Sequence, residues 1–231
     1  MHQNLNKFIQ EVINEELDKM LENTEEFSLE QLKTCPTLAS AKQYLETHLE
    51  KVGEGHFRIT YGLDENTVIK IGKPDSKDIM QNAQEARNSR CLPKRYVVQV
   101  LDKHPEFWWI VMERLQRLSL GQFVAEFEKR IGSSVPYKPD GRGYDLEQKE
   151  SSIEQKESSI ILAIEAATQP TNPYNSYEPV AKNNKQWLQN KWYAGLIAAL
   201  RKCQVQSDDF HYKNWGIRPG TGELVLLDLG F

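Results

Sequence analysis

Near the end of the chain, Asp209 and Asn214 bracket F-H-Y-K, and Asp228 follows a turn built on Pro219-Gly220-Thr221-Gly222. A carboxylate and an amide five residues apart, with another carboxylate beyond a short hairpin, are the oxygen donors a hard divalent cation takes alongside phosphate oxygens and water. Read this way, Asn214 and Asp228 hold Mg²⁺. Asp209, nearby but free of the metal, accepts the proton of an attacking hydroxyl. The plainer alternative is a polar loop capped by an aspartate, followed by a turn at D-L-G.

Upstream residues add to this set. In G-E-G-H-F-R, Gly53 and Gly55 let backbone amides approach an anion closely, although a tight hairpin also needs glycine. Lys70, among Val68, Ile69 and Ile71, is a cation in an apolar strand and calls for a counter-charge. Glu85, in Q-N-A-Q-E-A, is the natural candidate. The apolar run W-W-I-V-M-E-R-L ends in Met112, Glu113, Arg114 and Leu115. A segment of this kind offers backbone N–H and C=O groups to a planar heterocycle while apolar side chains cover its faces.

The elements that must position these residues follow from periodicity. Leu5, Phe8, Ile9, Val12, Ile13, Leu17, Met20 and Leu21 fall at helical spacing. Ser28 with Gln31 resembles a capping box for a second short helix, and Leu38, Ala41, Leu45 and Leu49 mark a third. From Val52 to Gly72 the pattern alternates, with Asp64-Glu65-Asn66 as a turn. A polar helix over 78–89 and two strands, Y-V-V-Q-V-L-D and F-W-W-I-V-M-E, complete an antiparallel sheet with one inserted helix. Leu118 to Arg130 is helical, and Trp187 to Cys203 predicts one long amphipathic helix. Between them, E-Q-K-E-S-S-I occurs twice, at 147–153 and 154–160, flanked by loop-like stretches. One large apolar residue per heptad is too thin a seam for a coiled coil, so the expectation is a solvated helix or flexible insertion.

With 231 residues, the chain has room for one large domain or two small lobes. Its net charge of -4 argues against nucleic acid or a membrane surface as the main partner. Cys35, Cys91 and Cys203 are scattered singletons without metal-ligand spacing, expected to form neither a disulfide framework nor a zinc site and to fit a reducing compartment. The N-terminus has no signal-peptide pattern and no run long enough to span a bilayer, so the expected location is the cytoplasm.

The ordered set (glycine loop, V-I-K lysine, helix glutamate, strand ending M-E-R-L, D-x-x-x-x-N, D-L-G) resembles the protein-kinase-like superfamily from about residue 50 onward. The resemblance implies an α+β, bilobal fold: an N-terminal helical extension over 1–47, an antiparallel-sheet N-lobe over 48–115, and a reduced, mainly helical C-lobe over 116–231 with an insertion at about 132–180. It also implies ATP and Mg²⁺ as cofactors. Gly53 and Gly55 would lie over the ATP phosphates, with Lys70 on the α- and β-phosphates and paired to Glu85. Met112 would be the gatekeeper, and Glu113 and Leu115 would supply hinge contacts to adenine. Asp209 would be the catalytic base, and Asn214 and Asp228 the metal ligands. His211 is similar to the D-x-H-x-x-N form of aminoglycoside phosphotransferases, and the compact layout resembles small truncated kinase-like proteins of tailed bacteriophages.

Departures from the family pattern are specific. Arg58 stands where a third loop glycine is common, and Ser207-Asp208 where a His-Arg or His-Gly pair precedes the base. Phe231 comes three residues after Asp228, so the expectation is a minimal nucleotide-binding core without an activation loop or the large helical platform. The implied function is Mg-ATP-dependent phosphotransfer to a protein or small-molecule hydroxyl. The alternative is a catalytically weak or inactive kinase-like module that binds nucleotide or a partner. Transfer of the nucleotide itself, as in kinase-fold AMP transferases, is a third form.

Overall fold

The computed structural model describes residues 26–73, 79–135, 148–169, 178–205 and 210–227. The helix expected from Leu5 to Leu21 lies outside these residues, as do Asp209 and Asp228. The chain divides into two units, Met1–Lys51 and Val52–Phe231.

In the first unit, helices α1 (Leu29–Thr34) and α2 (Leu38–His48) bury Leu32, Ala41 and Leu45. The expected capping box at Ser28 is only half formed. The Gln31 N–H donates to Ser28 Oγ at 3.4 Å, but the Gln31 side chain accepts from the Tyr44 hydroxyl at 2.6 Å instead of returning to the cap. The complete box is at Thr37 and Ser40, where each side chain accepts the other's N–H at 3.1 Å. The sequence pattern, which looks for Glu or Gln at the third position, passes over it.

The second unit is α+β. Strands β1 (Lys51–Glu54), β2 (Arg58–Gly62), β3 (Thr67–Gly72), β4 (Val100–Lys103) and β5 (Trp109–Glu113) form a five-stranded sheet in the order β1-β2-β3-β5-β4. The pairs β2–β3, β3–β5 and β4–β5 are antiparallel. At the β2–β3 turn, the Asp64 carboxylate accepts the Thr67 hydroxyl and the Asn66 N–H, both at 2.6 Å. These bonds hold its pKa below the usual value. Helix α3 (Ile79–Cys91) crosses between β3 and β4. The short strand β6 (Gln116–Arg117) then starts a second, three-stranded antiparallel sheet with β7 (Trp215–Ile217) and β8 (Leu224–Leu226).

Helix α4 (Leu120–Ile131) begins with a full capping box at Ser119 and Gln122 and ends at Gly132, whose φ of 69° is the left-handed turn glycine tolerates best. It is followed by α5 (Gln148–Thr168), α6 (Glu178–Trp187) and α7 (Lys191–Lys202). Phe123 and Phe127 of α4 pack against Trp215, Trp187 and Tyr193, joining the helices to the second sheet. The same core continues to Val68, Ile110 and Met112 of the first sheet.

Three expectations are corrected. The long helix expected over 187–203 is two helices, because Asn190 Oδ1 accepts the N–H groups of Trp192 and Tyr193 at 2.9 and 3.1 Å and starts α7 afresh. The duplicated heptad is helical but not merely solvated. Ile160 is fully buried, and Ala163, Ile164 and Ala167 extend its stripe into the core beyond the second copy. The third correction concerns the cysteines. Cys91, the last residue of α3, is disulfide-bonded to Cys203, just after α7, with Cα atoms 5.8 Å apart. The argument for a reducing compartment thereby loses its premise. Among the described residues, no helix is long and apolar enough to cross a membrane.

Candidate functional site

Side chains alternate along β3, so Val68 and Lys70 share one face and Ile69 and Ile71 the other. Lys70 is 7% exposed, and a lysine this enclosed is held by a partner. Glu85, at the midpoint of α3 and 5% exposed, supplies it: Lys70 Nζ lies 2.8 Å from Glu85 Oε1. A second cation converges on the same carboxylate. Arg58, the departure from the expected glycine pattern, is buried at the start of β2, with Nη1 2.8 Å from Glu85 Oε2 and Nη2 donating to Glu85 Oε1 at 3.4 Å. Arg58 also donates to Asn82 Oδ1 at 3.3 Å. Asn82, fully buried on the same face of α3, donates to the carbonyls of Phe107 and Trp108 at 2.9 and 3.1 Å. Helix α3 is thus pinned to two strands and to the turn before β5.

Lys70 opens onto a cavity of about 340 Å³. It is lined by the β1–β2 turn with Gly55, His56 and Phe57, and by Arg117, Lys213 and Asn214. The Gly55 N–H donates to the Arg58 carbonyl at 2.8 Å, closing the turn. A Cβ at Gly53 would stand 2.9 Å from an Arg117 guanidinium nitrogen, so the missing side chain lets that cation lie against β1. Thr60, Lys70, Arg117 and Leu227 also line a second cavity of about 410 Å³, so the two adjoin as parts of one cleft. The second is walled by Val52 and Val68 and bounded by the backbone run Glu113–Leu115. Both volumes are in the range of small-molecule sites. The chemistry is graded along the cleft: Arg58, Lys70, Arg117 and Lys213 line the first cavity, while the second shares Lys70 and Arg117, adds Arg114, and alone carries Val52 and Val68.

The Glu113 side chain is turned away to structural partners. It accepts from Arg218 Nη2 and from the Gln99 N–H, both at 3.0 Å, and Arg218 also donates to the carbonyls of Lys94 and Val97. Met112 is fully buried in the main core. Leu115 packs closely on β7: a Cβ at Gly216 would fall 2.8 Å from Leu115 Cβ.

Asn214, 9% exposed, closes the 3₁₀ turn Tyr212–Asn214. Its carbonyl accepts the Leu227 N–H at 2.8 Å, so the residue preceding Asp228 is fixed beside it. The residue following Asp209 is fixed as well: Phe210 is fully buried, and its carbonyl accepts from Trp215 Nε1 at 2.9 Å. Asn214, an amide on the cationic cavity, suits a hard divalent cation beside a polyanion, and Asp228 follows the neighbouring Leu227.

The structure therefore brings Gly55, Lys70, Asn214, Glu113 and Leu115 to one cleft, with Gly53 and Glu85 beside it. The sequence reading did not pick out Arg117, Lys213, Asn82 or the Arg58–Glu85 contact. The one available signal is the i, i+3 spacing of Asn82 and Glu85, which shares a helix face. Compared with models of known protein families the chain matches none, and no curated protein matches it.

Proposed function

We propose that this chain is a protein-kinase-like phosphotransferase that uses Mg-ATP to phosphorylate a hydroxyl acceptor. The observation that carries the reading is the buried Lys70–Glu85 pair, set in the wall of a cleft whose first cavity carries four cations and whose second adds Val52, Val68 and the run Glu113–Leu115. That arrangement suits a nucleotide: triphosphate at Lys70, Arg117 and the Gly55 turn, and base between Val52, Val68 and Leu227 against the Glu113–Leu115 backbone. In this reading the five-stranded sheet is the smaller lobe, and the helices with the second sheet form the larger.

Phosphoryl transfer asks a protein mainly to position groups and neutralise charge. Lys70, held straight by Glu85, orients the α- and β-phosphates. Asp209 accepts the acceptor's hydroxyl proton as the new O–P bond forms and the bond to the β-phosphate oxygen breaks, leaving ADP. Asn214 and Asp228 would hold Mg²⁺, which neutralises charge on the phosphates.

Thermal unfolding with ATP, with and without Mg²⁺, tests the binding half of this reading. At one hundred times its dissociation constant a ligand stabilises by about 2.7 kcal/mol, and in a domain this size each kcal/mol raises Tm by roughly 2–4 °C. The expected result is a Mg²⁺-dependent rise that Asp228→Ala loses. Transfer of the labelled γ-phosphate, abolished in Asp209→Asn while the melting response persists, tests the catalytic half. No response at millimolar ATP overturns the proposal. A response without transfer leaves a nucleotide-binding kinase-like module, and label retained from the α-phosphate indicates nucleotide transfer.

A further inference from the structure

The duplicated heptad has no part in the reading above, yet its second copy reaches the loop between Asp209 and Asn214. Glu157 on α5 accepts the backbone N–H of Tyr212 at 2.8 Å, across 55 residues of sequence. Tyr212 is the first residue of the 3₁₀ turn that ends at Asn214, and the His211 side chain at the N-cap position makes no capping bond to that turn. Glu157 thus supplies, from another helix, the acceptor that a capping side chain normally provides, and it brings negative charge to the turn's N-terminal end. The helix carrying it is itself held. Lys156 Nζ lies 2.8 Å from Glu128 Oε1 of α4, that oxygen also accepts the Val135 N–H at 2.9 Å, and Ile160 is sealed in the core.

We infer that Glu157 is a positioning residue for the proposed phosphotransfer, setting the peptide plane between the catalytic base and the metal ligand. The inference rests on the proposed function. Phe210 and Trp215 anchor the loop at either end, so the fold does not depend on this one bond. What depends on it is the aim of the loop between them. A misplacement of about 1 Å costs on the order of 100-fold in rate when reacting groups must be aligned.

The test is steady-state kinetics of ATP turnover in the full chain, with the thermal response to Mg-ATP measured alongside. Glu157→Ala should lower kcat by roughly 10- to 100-fold, with KM for ATP and the melting response near wild type. Glu157→Gln keeps an acceptor oxygen at the same reach and should restore most of the rate, while Glu157→Asp, one methylene short, should not. Lys156→Met removes one hold on the helix but leaves Ile160 in the core and the Glu157 bond in place, so it should lower kcat far less than Glu157→Ala, which separates aiming from stability. If Glu157→Ala does not fold, the Gln and Asp variants carry the comparison. A wild-type rate in Glu157→Ala, or equal rates in Gln and Asp, overturns this inference alone. A wild-type protein that neither responds to Mg-ATP nor turns it over overturns the proposed function and this inference with it.

Discussion

Glu85 is shared by Lys70 and Arg58, and the sharing makes the consequences of substitution unequal. Removing the carboxylate leaves two buried cations without it, and breaking a buried ion pair from one side costs about 3–5 kcal/mol. Glu85→Ala should therefore show a large drop in denaturation midpoint. Lys70→Met removes one cation, keeps the Arg58 contact and fills similar volume, so its midpoint should fall much less while its response to Mg-ATP disappears. Equal destabilisation by the two variants would show that Arg58 does not hold the carboxylate. At this scale the Lys70–Glu85 pair was legible, because a lysine between Val68, Ile69 and Ile71 demands a counter-charge and the next helix offers one. Arg58 was legible only as a missing glycine. Its role depends on its place opposite Gly72 in the hairpin and on the phase of α3, and neither is written in local composition.

Helix and strand types were largely legible from periodicity, and the misreadings at this scale share a physical origin. A stripe of one isoleucine per heptad looks too thin when the window stops at Ile160, but Ala163, Ile164 and Ala167 continue it. The break at Asn190 is made by one side chain capping two N–H groups, which a hydrophobic period cannot register. The duplication itself allows a direct test. Removing either copy of E-Q-K-E-S-S-I yields the same polypeptide, in which Leu146 stands where Ile153 was and Lys156, Glu157 and Ile160 keep their order. Ile153 is only partly buried against the core, so an apolar replacement there should be tolerated. The seven-residue deletion should melt within a few degrees of wild type and retain the Mg-ATP response. A loss above about 2 kcal/mol would instead mark a specific packing role for the first copy.

At the scale of the whole molecule, the Cys91–Cys203 bond joins the end of the helix bearing Glu85 to the end of α7. Residues 112 positions apart give no spacing signal, which is why composition alone pointed to free thiols. In the chain-entropy account, a closed loop of this length stabilises by about 4–5 kcal/mol. Reduction should therefore lower Tm by on the order of 10 °C, and Cys203→Ser should match the reduced wild type with no further response to reductant. An unchanged Tm on reduction would show that packing alone holds α3 in place.

The same bond gives the molecule a covalent topology of one ring and two tails. The ring runs from Cys91 to Cys203 and contains the Glu113–Leu115 backbone, Arg117 and Glu157. Lys70 and Glu85 belong to the tail entering it, and Asn214 and Leu227 to the tail leaving it. Each end of the cleft is therefore assembled from the ring and both tails together. A single proteolytic nick between 92 and 202 should leave one species on a non-reducing gel and two after reduction, whereas a nick in either tail should release a fragment under both conditions.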